Sequence, residues 1–85
     1  MKEFTYVIKD EAGIHARPAT ILMKEAKAFQ SKITISGNGK EAEVLRLMAV
    51  MGLGIKQGTE VVIRADGPDE DQAIEAVKKV VEENL

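Results

Sequence analysis

The chain reads as an α+β domain in which helices cover one face of a mostly antiparallel sheet of four strands. Three observations predict this. Apolar side chains alternate with a period of two around Phe4, Tyr6 and Ile8 and crowd together at Val61, Val62 and Ile63, as strands require. They recur at helical spacing through Ala19, Leu22, Met23 and Ala26, and again through Ala73, Ile74, Val77, Val80 and Val81. Between two further β-rich stretches stands Asn38-Gly39, a pair that adopts the two positive φ values of a type I′ hairpin turn. The resulting order is strand, helix, strand, strand, helix, strand, helix, which fills one domain over residues 1–85.

Each element follows from its own residues. Residues 2–8 form the first strand, with Phe4, nearest the end, less buried than Tyr6 and Ile8. Residues 10–13 are a loop. Pro18 has no N–H and a fixed φ, so it belongs in a first helical turn; the apolar spacing from Ala19 to Phe29 then gives a helix over about 16–28. Ile33 to Ser36 is a β-branched second strand. The turn at Asn38-Gly39 returns the chain as a short, charged strand, Lys40 to Val44, suited to a sheet edge. A short helix covers 46–52, released by Gly52 and Gly54. Residues 60–65, dense in Val and Ile, make a central strand. Asp69 and Gln72 have capping-box spacing, and the last helix runs from about 70 to 83. Its acidic first turn and Lys78-Lys79 towards its end agree with the helix dipole. Ferredoxin-like folds share this run of elements, so the pattern alone leaves the strand order open.

Composition removes several classes of function. Twelve basic and 14 acidic side chains leave a net charge of −2, and one Tyr and two Phe offer little for base stacking, so nucleic acid is not an expected partner. There is no cysteine, which excludes a disulfide framework and is compatible with a reducing cytoplasm. The first residues, Met1-Lys2-Glu3-Phe4-Thr5, lack the apolar stretch of a secretory signal, and the run from Leu47 to Ile55 is too short to span a bilayer. A cytoplasmic protein with no membrane insertion is the expectation.

Chemistry concentrates in Gly13-Ile14-His15-Ala16-Arg17-Pro18-Ala19. Pro18 puts His15, the one histidine, at or just before the helix N-cap. The first turn of a helix leaves N–H groups unpaired and carries partial positive charge, so anions collect there. The available donors are the amides of Ala16 and Arg17, with Ala19 a further candidate. Arg17 adds a guanidinium that pairs with phosphate oxygens in bidentate fashion. A neutral imidazole offers one unprotonated, nucleophilic nitrogen. A nucleophile beside an anion receptacle suits capture of a phosphoryl group. The plain alternative is an ordinary surface histidine beside a solvated arginine. No second histidine, cysteine or ligand cluster stands near in sequence, so neither a metal nor any other cofactor is expected.

The heptapeptide resembles the active-site signature of HPr, the histidine-containing phosphocarrier family of the bacterial phosphoenolpyruvate-dependent sugar phosphotransferase system. The likeness extends through Asn38-Gly39-Lys40, Leu47 to Gly54, Gly58-Thr59-Glu60-Val61 and Gly67-Pro68-Asp69-Glu70, in that family's order and spacing. It implies an HPr-like open-faced β-sandwich, βαββαβα, with strand order 1-4-2-3 and three helices on one face. It also implies a relay: enzyme I, charged by phosphoenolpyruvate, passes the group to His15 through Nδ1, and His15 passes it to enzyme IIA domains. Catalysis would then reside largely in the partners, with Ala16 and Arg17 steadying the transferred group. A related alternative is an HPr-like regulator whose phosphorylated His15 switches binding to a transcription factor or enzyme.

Leu47-Met48-Ala49-Val50-Met51 is the second informative stretch. So short a helix cannot hide all these side chains against one sheet face, and exposed apolar patches mark partner sites. Methionines adapt such a patch to several partners. The alternative is that only one of them protrudes. By the resemblance, Leu47, Met48 and Met51 form the docking patch, flanked by Arg17, Thr20, Lys24 and Lys27, on a protein expected to be monomeric. Many relatives from Gram-positive bacteria carry a kinase-regulated serine where this chain has Arg46. Arginine cannot be phosphorylated in its place, and losing a serine cap costs about 1 kcal/mol locally. The chain is therefore expected to escape that kinase and the corepressor role of the serine-phosphorylated form.

Overall fold

The computed structural model describes residues 1–85. Its elements are β1 (Lys2–Val7), α1 (Ala16–Ala26), β2 (Lys32–Gly37), β3 (Lys40–Glu43), α2 (Leu47–Met51), β4 (Glu60–Asp66) and α3 (Glu70–Asn84). The sheet order is β1-β4-β2-β3 and every pairing is antiparallel. β4 is thus interior, as its Val and Ile content predicts, and β3 lies at an edge.

Register explains the two faces. Phe4 opposes Ile63 and Tyr6 opposes Val61 across β1 and β4, while Ile33 opposes Ala65 and Ile35 opposes Ile63 across β2 and β4. A period of two sends this set to one side. There Val61, Ile63, Ala65 and Ile35 are fully buried beneath Leu22 and Ala26 of α1, Val50 of α2 and Ala73, Val77 and Val81 of α3. Each large aliphatic group so buried stabilises the fold by about 1.5–3 kcal/mol relative to its exposed state. The opposite face is polar: Arg64 donates to Glu3 on β1 and to Glu41 on β3 at 3.4 and 3.2 Å. No helix is long and apolar enough to cross a membrane.

Several boundaries and contacts differ from expectation. β1 stops at Val7; Ile8 turns inward, 1% exposed, with its amide donating to Thr59 O. α1 ends at Ala26, and tighter bonds from Ala28 N to Glu25 O and from Phe29 N to Ala26 O finish it, a usual way for a helix to close. β3 stops at Glu43, and α2 is confined to 47–51 with Gly52 in helical conformation, so it is Gly54, at φ 66°, that redirects the chain. The capping box at Asp69 and Gln72 does not form. Asp69 is the N-cap by position, but its carboxylate reaches across to accept from Gln30 N, Ser31 N and Ser31 Oγ at 2.8, 2.9 and 2.5 Å. Glu70 instead closes the turn, accepting from Gly67 N at 3.2 Å. α3 runs one residue further than its periodicity indicates, so its last turn carries Glu82 and Glu83 in place of lysines.

The hairpin is as read: Asn38 and Gly39 have φ of 54° and 77°. Asn38 has a second task that sequence reasoning missed. Its amide donates to Leu53 O and Gly54 O, both at 3.1 Å, tying the turn to the segment that leaves α2.

Candidate functional site

His15 is held out to solvent by anchors on either side of it. Upstream, Asp10 Oδ1 accepts from Ala12 N at 2.8 Å and Asp10 O accepts from Gly13 N at 2.9 Å, closing a tight turn. Gly13 has φ 68°, and a Cβ there would lie 2.2 Å from Ile55 O. Glycine is therefore required by both backbone angle and space. Ile14 is buried and donates its amide to Ile55 O at 3.2 Å. Downstream, Pro18 and Ala19 are buried on the inner face of α1. Between these fixed points the chain must turn outward, and His15 becomes the N-cap with φ −109° and ψ −173°.

The imidazole makes no hydrogen bond within the chain and does not cap its helix. Its carbonyl accepts from Ala19 N at 3.1 Å. That bond removes Ala19 from the candidate anion donors, a correction to the sequence reading. Pro18, third in the helix, has no proton to give. The amides of Ala16 and Arg17 stand in the first turn, where no intrahelical acceptor precedes them. Arg17 is exposed and in no ion pair, so its guanidinium is uncommitted. Thr20 is half-buried, and its hydroxyl donates to Ala16 O at 2.7 Å, which commits that proton to the helix.

Beside His15 lies a shallow cleft of about 220 Å³ lined by Asp10, His15, Arg17, Pro18, Ile21, Glu83 and Asn84. The α3 residues were not legible as neighbours of the histidine. They arrive because Lys9 N and Asp10 N both donate to Leu85 O, at 2.7 and 2.9 Å, docking the end of the chain against the loop. Only the packing of α3 across the sheet brings these groups together. The cleft is open and small, and its lining sets the carboxyls of Asp10 and Glu83 beside His15 and the Arg17 guanidinium.

The short helix α2 packs on α1. Val50 points inward at 2% exposure, Leu47 is half-buried, and Met48 and Met51 are 77% and 36% exposed. More than one apolar side chain therefore protrudes. Lys24 on α1 and Lys27 just past its end are exposed and unpaired. Arg46 is the N-cap of α2 without a side-chain capping bond, its Nε lying 3.3 Å from Glu43.

Residues 2–83 match the family described as PTS HPr component phosphorylation site. The chain is 49% identical over 81 residues to phosphocarrier protein HPr of Mycoplasma capricolum, covering 95% of this chain and 91% of that one. Its fold is similar to that of a mycoplasma histidine-containing phosphocarrier protein, with TM-score 0.93 and 48% identity over 96% of this chain and 93% of the other. It is also similar to an HPr dimer from Thermoanaerobacter tengcongensis, with TM-score 0.76 and 38% identity over 98% and 95% of the two chains.

Proposed function

The chain belongs to the HPr family, and from that footing we propose that it is a phosphocarrier which takes a phosphoryl group from phosphorylated enzyme I onto His15 and hands it to enzyme IIA domains. The observation that carries this reading is His15 itself, exposed at a helix start and free of any internal hydrogen bond. A nucleophile that must meet successive macromolecules has to stand in this way at the surface.

In the transfer, the unprotonated ring nitrogen, Nδ1 by family likeness, attacks phosphorus. The new N–P bond forms as the donor's phosphohistidine N–P bond breaks, and the donor imidazole leaves with its electron pair. The amides of Ala16 and Arg17 and the Arg17 guanidinium donate to the phosphoryl oxygens; hydrogen bonds to a charged group contribute about 1.5–3 kcal/mol each. The reverse sequence on an acceptor histidine returns the carrier to its resting state. This chemistry uses no metal or cofactor on the carrier.

Leu47, Met48 and Met51 form the docking patch in this reading, with Arg17, Lys24 and Lys27 steering acidic partners towards it. Thr20 contributes van der Waals surface, since its proton is engaged with Ala16 O. The working unit is a monomeric domain of residues 1–85 acting in the cytoplasm, because the patch must be open to both partners. Arg46 removes serine-kinase control: incubation with ATP and that kinase leaves the mass of the Arg46 peptide unchanged. The direct test is His15→Ala, which abolishes acid-labile labelling from phosphoenolpyruvate and enzyme I while leaving the fold intact. Undiminished labelling of that variant contradicts the assignment.

A further inference from the structure

We propose that Arg46 is a specificity-determining residue of the docking surface, pairing with a carboxylate on the protein that exchanges the phosphoryl group with His15. The inference rests on the phosphocarrier reading and adds the chemistry of the partner's face: an apolar socket for Met48 with a carboxylate at its rim.

Nothing inside the fold uses this guanidinium fully. Arg46 stands at the N-cap of α2 without capping it, and its side chain is 75% exposed. Its one partner, Glu43 at 3.3 Å, also faces Lys32 at 3.5 Å, so a single carboxylate serves two cations and the local balance is positive. An exposed pair of this kind contributes little to stability.

Its setting is apolar. Leu45, 52% exposed, precedes it; Leu47 and Met48, the latter 77% exposed, follow. A cation set within exposed apolar surface is weakly paired in water and strongly paired once a partner excludes that water. Charge is also distributed unevenly over the molecule. Residues 44–57 contain Arg46 and Lys56 and no Asp or Glu. The neighbouring α1 carries Arg17 and Lys24 against Glu25, with Lys27 at its end, a net positive charge, whereas α3 carries Glu70, Asp71, Glu75, Glu82 and Glu83 against Lys78 and Lys79, a net negative one. The face complementary to the α1–α2 side is therefore acidic around an apolar centre.

The test compares wild type, Arg46→Lys, Arg46→Gln and Arg46→Glu as acceptors from phosphorylated enzyme I at low and high ionic strength, with thermal unfolding and sedimentation read in parallel. We expect kcat to hold in all four. Loss of one rim ion pair in Arg46→Gln raises KM about two- to fivefold. Charge reversal in Arg46→Glu raises it about tenfold or more, Arg46→Lys restores most of the affinity, and the differences shrink in high salt. Equal KM values across the series, a fall in kcat without a change in KM, or sedimentation showing that Arg46 joins two copies of this chain would overturn the inference while wild type is still labelled. A wild-type protein that takes up no phosphoryl group overturns the phosphocarrier reading and this inference with it.

Discussion

Gly13 and Arg17 are where the proposed site is tested at the scale of single residues, one through backbone space and the other through charge. Any Cβ at position 13 meets Ile55 O at 2.2 Å, and the φ of 68° is one that L-residues rarely adopt. Gly13→Ala is thus expected to lower stability by about 1–3 kcal/mol, read from the urea midpoint, and to slow phosphoryl uptake by disturbing the turn that lifts His15. An unchanged midpoint would show that the loop has more room than its contacts with Ile55 indicate. Arg17→Glu keeps the helix but places like charge beside the phosphoryl group. Removing a donor aimed at developing charge costs about a hundredfold or more in rate, and wild-type kinetics in this variant would take Arg17 out of the site. The backbone here was legible in the sequence, because a proline-marked helix start and a glycine two positions before histidine leave few conformations, and they place His15 at the N-cap and Arg17 in the first turn. Glu83 and Asn84 were not legible there: no local pattern says that the end of α3 returns to the loop.

Among the elements, the junction of α1, β2 and α3 shows how tertiary contacts override a local motif. Spacing assigned Asp69 and Gln72 to a capping box, yet Asp69 bonds to Gln30 and Ser31, residues nearly forty positions earlier. The amides of the α1–β2 turn lack helix partners, and an adjacent carboxylate satisfies two of them. The hydroxyl of Ser31, then the amide of Gln30, hold the Asp69 carboxyl below the usual carboxylate range. A depressed native pKa contributes stability above the unfolded value, and that contribution is lost as pH falls through the native one. Asp69→Asn is therefore expected to lower the thermal midpoint at neutral pH and to converge with wild type in strong acid, with His15 labelling unaffected. A constant gap across pH would mean that the contact acts through shape alone. At the other end of α3, Glu82 opposes the helix dipole; Glu82→Lys is expected to gain about 0.3–1 kcal/mol in low salt, measured by chemical denaturation. Strand and helix types followed from periodicity, while their ends depended on bonds such as Phe29 N to Ala26 O that only the folded chain supplies.

For the whole molecule, net charge and topology were readable to different depths. A total of −2 excludes a broadly basic surface but conceals the contrast between α1 with Lys27 at its end, net positive despite Glu25, and α3, net negative despite Lys78 and Lys79, which appears only when the elements are placed in space. The order β1-β4-β2-β3 was fixed in advance by family likeness, since periodicity admitted other arrangements of the same elements. That topology sets three helices over one buried face and brings His15, the Ala16 and Arg17 amides and the methionine-bearing helix to the same layer. The central claim is that His15 carries the phosphoryl group in transit. It is tested most directly by ¹H–¹⁵N NMR of the imidazole, ¹⁵N-labelled, after exposure to phosphoenolpyruvate and enzyme I. The account predicts that Nδ1 shifts and couples to phosphorus, then reverts when an enzyme IIA domain is added. A ring spectrum that stays unchanged while phosphate appears elsewhere on the chain would contradict it.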